Sequence, residues 1–194
     1  MIDYLLALDT KIFLLLNGWR AEWLDPVMVA ISGKYTWAPF YLMILILLLW
    51  RFKKKTWFIV LAVVVLVFLT DKVSVHLFKN VFERLRPCHD PVIAHMVNTV
   101  DGRCGGQYGF VSSHASNVFG LALFITWLLA RGGWRWVSLL MFLWATVVAY
   151  SRIYLGVHYP GDVIGGAMVG MLLGGLVIAL VHALSNRIFR ERLF

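Results

Sequence analysis

The chain has 194 residues, of which 61% are hydrophobic and only 14% charged, with a mean hydropathy of +0.79. A soluble domain of this length needs more polar surface, so the composition points to an integral membrane protein built as one domain, residues 1–194. The formal net charge of +8 would suit a nucleic-acid binder, but the cations are grouped: Arg51 with Lys53, Lys54 and Lys55, then Arg131 with Arg135, then Arg187, Arg190 and Arg192. Each group flanks an apolar run, the positive-inside pattern of cytoplasmic connections, and no nucleic-acid partner is expected.

In chain order, residues 2–17 read as a helix with apolar positions at Ile2, Leu5, Leu6, Leu8, Ile12, Phe13, Leu15 and Leu16. Asp3, Asp9 and Lys11 interrupt it, leaving either a short span or an amphipathic helix lying in the interface. The same acidic start, without a basic flank, argues against a cleavable signal peptide. Residues 18–34 hold Trp19, Trp23, Asp25-Pro26 and Gly33, which suit an interfacial turn and a short helix from Pro26. Five clear spans follow, at about 35–52, 56–79, 114–130, 134–153 and 161–184, each near the length a bilayer core requires. The expected fold class is therefore all-α, a polytopic membrane helix bundle with a short or interfacial N-terminal helix.

With the basic connections inside, the 80–113 loop and the 150–162 junction fall on the same outer side. Gly166, Gly170 and Gly174 recur at four-residue intervals in the last span, after Gly161 and Gly165, a pattern that lets helix backbones approach closely. Cys88 and Cys104 both lie in the outer loop and are either free or joined in a disulfide worth roughly 3 kcal/mol in the chain-entropy model. Lys72, His76, Lys79 and Glu83 follow three- and four-residue steps and read as a polar seam facing the bundle. His89 and His95 read as solvated loop residues, and His182 as incidental.

Three stretches carry chemistry. Lys79 and Arg86 are seven residues apart before Pro87, so a continuous helix would place them on one face until the proline ends it. Ser112, Ser113 and His114 precede an apolar run, where serines cap a helix and its free N–H groups form an anion site. Arg152, His158 and Asp162 sit between two very apolar segments, where ionisable groups are costly and usually functional. Pro160 and Gly161 break the helix between His158 and Asp162, so that pair meets across a turn. Together the stretches offer cations and N–H groups for spread negative charge, a nucleophile, and an acid for a leaving oxygen, the needs of phosphoryl transfer.

Lys79-x6-Arg86-Pro87, Ser112-Ser113-His114 and Ser151-Arg152-x5-His158-x3-Asp162 resemble the three signature motifs of the type 2 phosphatidic acid phosphatase (PAP2) superfamily. The first and third match fully. The middle one departs: Val111-Ser112-Ser113-His114 stands where the family usually has Pro-Ser-Gly-His. The resemblance implies a six-helix PAP2-like core, with His158 as a nucleophile that becomes a phosphohistidine, Asp162 as the acceptor of its ring N–H, and His114 as the acid and base. It also implies that Lys79, Arg86, Arg152, Ser112 and Ser113 hold the phosphate. It implies no metal or other cofactor, and the chain has no carboxylate cluster suited to Mg²⁺.

The expected function is lipid phosphate or diphosphate hydrolysis in the inner (plasma) membrane, with the site facing the periplasm or exterior. The expected partners are the lipid phosphate substrate and membrane lipids; no particular oligomeric state is implied. Resemblance to short bacterial members favours undecaprenyl diphosphate, with phosphatidylglycerophosphate, phosphatidic acid and lipid A phosphates as alternatives. Vanadate-dependent halide oxidation would use the same anion site but belongs to soluble relatives. A lipid or ion transporter with buried charges is the alternative from another class.

Overall fold

The structure is a computed structural model and describes residues 1–130 and 133–188; Arg131, Arg190 and Arg192 of the basic groups lie outside the described residues. It is helical throughout, and among the described residues the one β feature is an isolated antiparallel bridge between Leu85 and Tyr108. The helices are α1 (Ile2–Gly18), α2 (Asp25–Ser32), α3 (Ala38–Phe52), α4 (Thr56–Val73), α5 (Asn80–Phe82), α6 (Ser113–Ala130), α7 (Arg135–Tyr154) and α8 (Pro160–Ile188).

Among the described residues, four helical segments are long and apolar enough to cross a membrane, the first running Ala38–Phe82. That first segment reverses at Lys53, whose φ of 49° no helix interior adopts. Ile44, Leu45 and Leu48 of α3 accordingly line one cavity with Val60, Val63 and Val64 of α4, and the Thr56 hydroxyl donates to the Leu48 carbonyl at 3.0 Å. The expected basic turn at 51–55 is thus real, although α3 has only 15 residues.

At the centre stands α6, which packs against α4, α7 and α8 and is buried around most of its circumference. Its contact with α8 depends on missing side chains. A Cβ on Gly170 would be driven into the Ser116 carbonyl oxygen, and one on Gly166 would stand 2.5 Å from the Ser112 carbonyl oxygen. The close approach lets the Ser116 hydroxyl donate to the Gly166 carbonyl at 2.9 Å, while the Ser112 N–H donates to the Asp162 carbonyl at 2.9 Å. The four-residue glycine spacing is therefore packing, as expected.

The polar seam expected on α4 is rotated. Lys72, His76 and Glu83 are exposed, and Thr70 and Ser74 are the buried polar residues, donating to Asn117 and Ser116 of α6. A π-helical stretch over Ser74–Lys79 adds residues per turn and shifts the phase on which a uniform helical count relies.

The single helix face expected for Lys79 and Arg86 is also corrected. The helix stops at Phe82, Glu83 takes a left-handed conformation, and the next residues run extended. There the Gly109 N–H donates to the Arg84 carbonyl at 2.8 Å and the Arg86 N–H to the Gln107 carbonyl at 3.0 Å.

Helix α1 lies across the site end of the bundle. Its Asn17 side chain donates to the carbonyls of Asn98, Ile153 and Tyr154, and Phe13 packs edge-on against Tyr159 at 5.3 Å. Its contacts are with the junction after α7 and the start of α8, and it is not among the segments long and apolar enough to span.

Cys88 and Cys104 form a disulfide across 16 residues. The bond closes the loop that holds Arg86, whose guanidinium donates to the carbonyls of Cys104 at 2.9 Å and Tyr108 at 3.2 Å. Replacing both cysteines by serine is expected to cost about 3 kcal/mol of stability, from the entropy of the opened loop. Thermal unfolding in detergent checks this.

Candidate active site

Six short pieces of chain converge at one end of the bundle. The last turn of α7 brings Arg152, the connection into α8 brings His158, the first turn of α8 brings Asp162, and the start of α6 brings Ser113 and His114, with Ser112 capping it. Lys79 ends the π-helical stretch and Arg86 lies on the extended segment beyond it. All the residues expected from the motifs therefore gather at one place.

The helix start of α8 positions the His158–Asp162 pair. Pro160 occupies the first helical turn, where its missing N–H costs nothing. Asp162, two residues on, reaches back so that its Oδ2 accepts the Tyr159 N–H at 3.0 Å, the reciprocal half of a capping box. The same oxygen faces His158 Nδ1 at 3.4 Å, and the imidazole also bonds the Gly109 backbone. With the proton assigned to Nδ1 from these acceptors, Nε2 carries the free lone pair. His158 is 2% exposed, and burial, followed by the fields of Arg86, Arg152 and Lys79, holds its pKa well below the ordinary histidine value. Burial therefore favours the neutral form of the ring.

The cations surround it. His114 lies within the fields of Arg152, His158, Lys79 and Arg86. Lys79 Nζ donates to Ser113 Oγ at 2.9 Å, so the serine that replaces the usual glycine of the middle motif serves as a rest for the lysine. Arg152 donates one nitrogen to the Ser32 hydroxyl, and its Nε is buried with no hydrogen-bond partner among the described residues. A buried guanidinium donor left unpaired is the mark of an anion site. A cavity of about 320 Å³ opens beside these cations, lined by Ser32, Gly33, Arg86, Arg103 and Arg152 among others. Among the described residues, Cys88, His89 and Cys104 are the group of potential metal ligands close enough to share an ion. The two cysteines are bonded to each other, so they offer no thiolates.

Several residues of the site carry little sequence signal. Arg84 donates to Asp162 Oδ1 at 2.9 Å and to Asp9 Oδ2 at 2.7 Å. Arg84 stood inside the first motif as a spacer residue, and Asp9 was visible only as a charge in an apolar helix. Ser32 had no signal at all. Gly109 is required because a Cβ there would stand 2.8 Å from Asp162 Oδ2 and 3.5 Å from His158 Nδ1.

A spanning helix bundle that gathers three motif cations and a capped helix start around a buried imidazole–carboxylate pair is a membrane-embedded phosphatase. The sequence profile of the PAP2 superfamily matches residues 58–186, and the chain belongs to that superfamily as a membrane lipid phosphatase. It is 39% identical over 193 residues to a lipid A 4'-phosphatase of Bacteroides thetaiotaomicron, covering 97% of this chain and 83% of that protein. It is 38% identical over 179 residues to a lipid A 4'-phosphatase of Porphyromonas gingivalis, covering 91% and 74%. The fold is similar to the crystal structure of a transmembrane PAP2-type phosphatidylglycerolphosphate phosphatase from Bacillus subtilis, with a TM-score of 0.69 and 24% identity over 97% of this chain and 90% of that one.

Proposed function

We propose that this enzyme removes a phosphate monoester from a lipid A-type glycolipid through a phosphohistidine on His158, at a site facing the periplasm or exterior. The observation that carries the reading is the buried, neutral His158 held against Asp162, with the unpaired Arg152 Nε beside it. His158 Nε2 attacks phosphorus, and the bond from phosphorus to the lipid oxygen breaks. His114 gives that oxygen its proton. Neutral once it has given up that proton, His114 takes one from water as the water oxygen attacks phosphorus, and the phosphorus–nitrogen bond breaks to release phosphate and free His158. Asp162 keeps the Nδ1 proton in place and balances the cation that forms on the ring. Lys79, Arg86, Arg152, the Ser112 and Ser113 hydroxyls and the first N–H groups of α6 hold the phosphoryl oxygens.

The choice of lipid rests on similarity extending over nearly the whole chain to two lipid A 4'-phosphatases. It moves the first choice away from undecaprenyl diphosphate, which the resemblance to short bacterial members favoured. The cavity beside Arg86 and Arg152 is at the lower end of the volumes that hold organic ligands, suited to a sugar ring attached to the phosphate. The outward orientation rests on the basic turn Lys53–Lys55 at the opposite end of the bundle.

The test is phosphate release by purified enzyme from lipid A, phosphatidylglycerophosphate, phosphatidic acid and undecaprenyl diphosphate, with EDTA present. The largest kcat/KM is expected on lipid A. Release from no lipid overturns the phosphatase reading, and a preference for undecaprenyl diphosphate returns the substrate to the first expectation.

A further inference from the structure

Asp162 is completely buried and its two carboxylate oxygens have different partners. Oδ2 serves the Tyr159 N–H and His158; Oδ1 is held by Arg84. Arg84 in turn is shared. Its second terminal nitrogen donates to Asp9 on α1, and its guanidinium lies 4.0 Å over the Tyr159 ring, whose hydroxyl donates to Asp90 at 2.9 Å. The other oxygen of Asp9 accepts the Gly161 N–H at 2.8 Å, capping the start of α8 from outside. One carboxylate on the N-terminal helix thus grips both the cation behind Asp162 and the helix turn that carries Asp162.

We propose that Arg84 and Asp9 are positioning residues for the nucleophile, so that the seating of α1 governs the His158–Asp162 geometry. This rests on the reading of His158 as nucleophile. A planar guanidinium can bond two carboxylates at fixed angles, which sets where Asp162 stands and therefore where His158 Nε2 points. Both terminal nitrogens of Arg84 are engaged, by Asp162 and by Asp9, which makes it a support for the pair rather than a substrate ligand. The helix α1 supplies no atom to the reaction, yet the site is incomplete without it. Leu5, Leu6, Leu8 and Ile12 form an apolar groove with Pro160 and Ile164, so the same helix meets the base of the turn that carries His158.

The experiment is single-turnover measurement of phosphohistidine formation on the full chain in detergent, together with steady-state kcat and KM. Arg84→Gln is expected to lower the rate of phosphoenzyme formation about 100-fold, the loss that small misplacements of a reacting group produce, with KM within about 2-fold. Asp9→Asn, which keeps the bond from Gly161, should lower it about 10-fold, and Arg84→Lys should retain part of the native rate because an ammonium can still meet one carboxylate. The double variant Asp9→Asn/Arg84→Gln should be no slower than Arg84→Gln alone within about 2-fold, because Asp9 acts through Arg84. Native phosphoenzyme with an unchanged rate in Arg84→Gln overturns the inference, as does a raised KM at constant kcat, which would make Arg84 a substrate ligand. Effects that multiply in the double variant overturn the coupling. Absence of phosphohistidine in the native enzyme sinks the nucleophile assignment instead, and size-exclusion profiles matching native separate each result from misfolding.

Discussion

His158→Ala is expected to lower kcat by at least about 10⁴-fold and to abolish acid-labile phosphate on the protein, the scale on which losing a nucleophile acts. The same substitution should leave binding of a phosphate analogue such as vanadate within about 10-fold, because Lys79, Arg86, Arg152 and the start of α6 remain. His114→Ala should behave differently. Its loss costs the proton for the leaving oxygen, about 10²- to 10⁴-fold on an alkyl phosphate. An aryl phosphate with an acidic leaving group needs no such proton, so phosphorylation of His158 should recover on that substrate. Hydrolysis of the phosphoenzyme should stay slow, since His114 also activates water, and labelled phosphohistidine should accumulate. Accumulation in His114→Ala and its absence in His158→Ala, read by acid-labile radiolabel, fixes the two roles. Equal loss of labelling in both variants on the aryl substrate would refute the division of labour.

Gly170→Val is expected to be the most damaging substitution away from the chemistry. A Cβ at this position has to occupy the place of the Ser116 carbonyl oxygen, a backbone atom that cannot swing aside. Either α8 moves off α6 or the helix bends, at a cost above about 3 kcal/mol by the scale of overpacked cores. Activity should fall with stability. The Ser112 N–H to Asp162 carbonyl bond and the Ser116 to Gly166 bond lie along the same interface, and they set the height of Asp162 against His114. Gly175 is the control. Nothing lies within 4 Å of a Cβ built there, so Gly175→Ala should be neutral or stabilise by about 0.5–1 kcal/mol, the usual helical advantage of alanine. Thermal unfolding of the three proteins in one detergent checks the order. Equal unfolding temperatures for Gly170→Val and native would mean that the α6–α8 contact is not as close as described.

The sequence alone determined the class of the protein and which residues gather at the candidate site. Bilayer-length apolar runs declare themselves locally, because a spanning helix must be apolar over its whole length. The motif residues are equally local, since each stretch is a few residues long and brackets a helix end. The pairing of His158 with Asp162 across the Pro160 break could be read from spacing, because proline at a helix start leaves few conformations. Only the tertiary structure decided which faces those residues use. Thr70 and Ser74 rather than Lys72 and His76 face the bundle, and the π-helical stretch ending at Lys79 and the left-handed Glu83 then change the phase of the chain, so Arg86 reaches the site from an extended segment. The support behind the nucleophile was hidden for a second reason. Arg84 meets Asp162 across 78 residues and Asp9 across 75, and hydrogen bonds at such separations leave no periodicity for a sequence to reveal. A side chain that contacts substrate sits in a motif because the phosphate demands its type; one that only holds another side chain in place is specified by the fold around it.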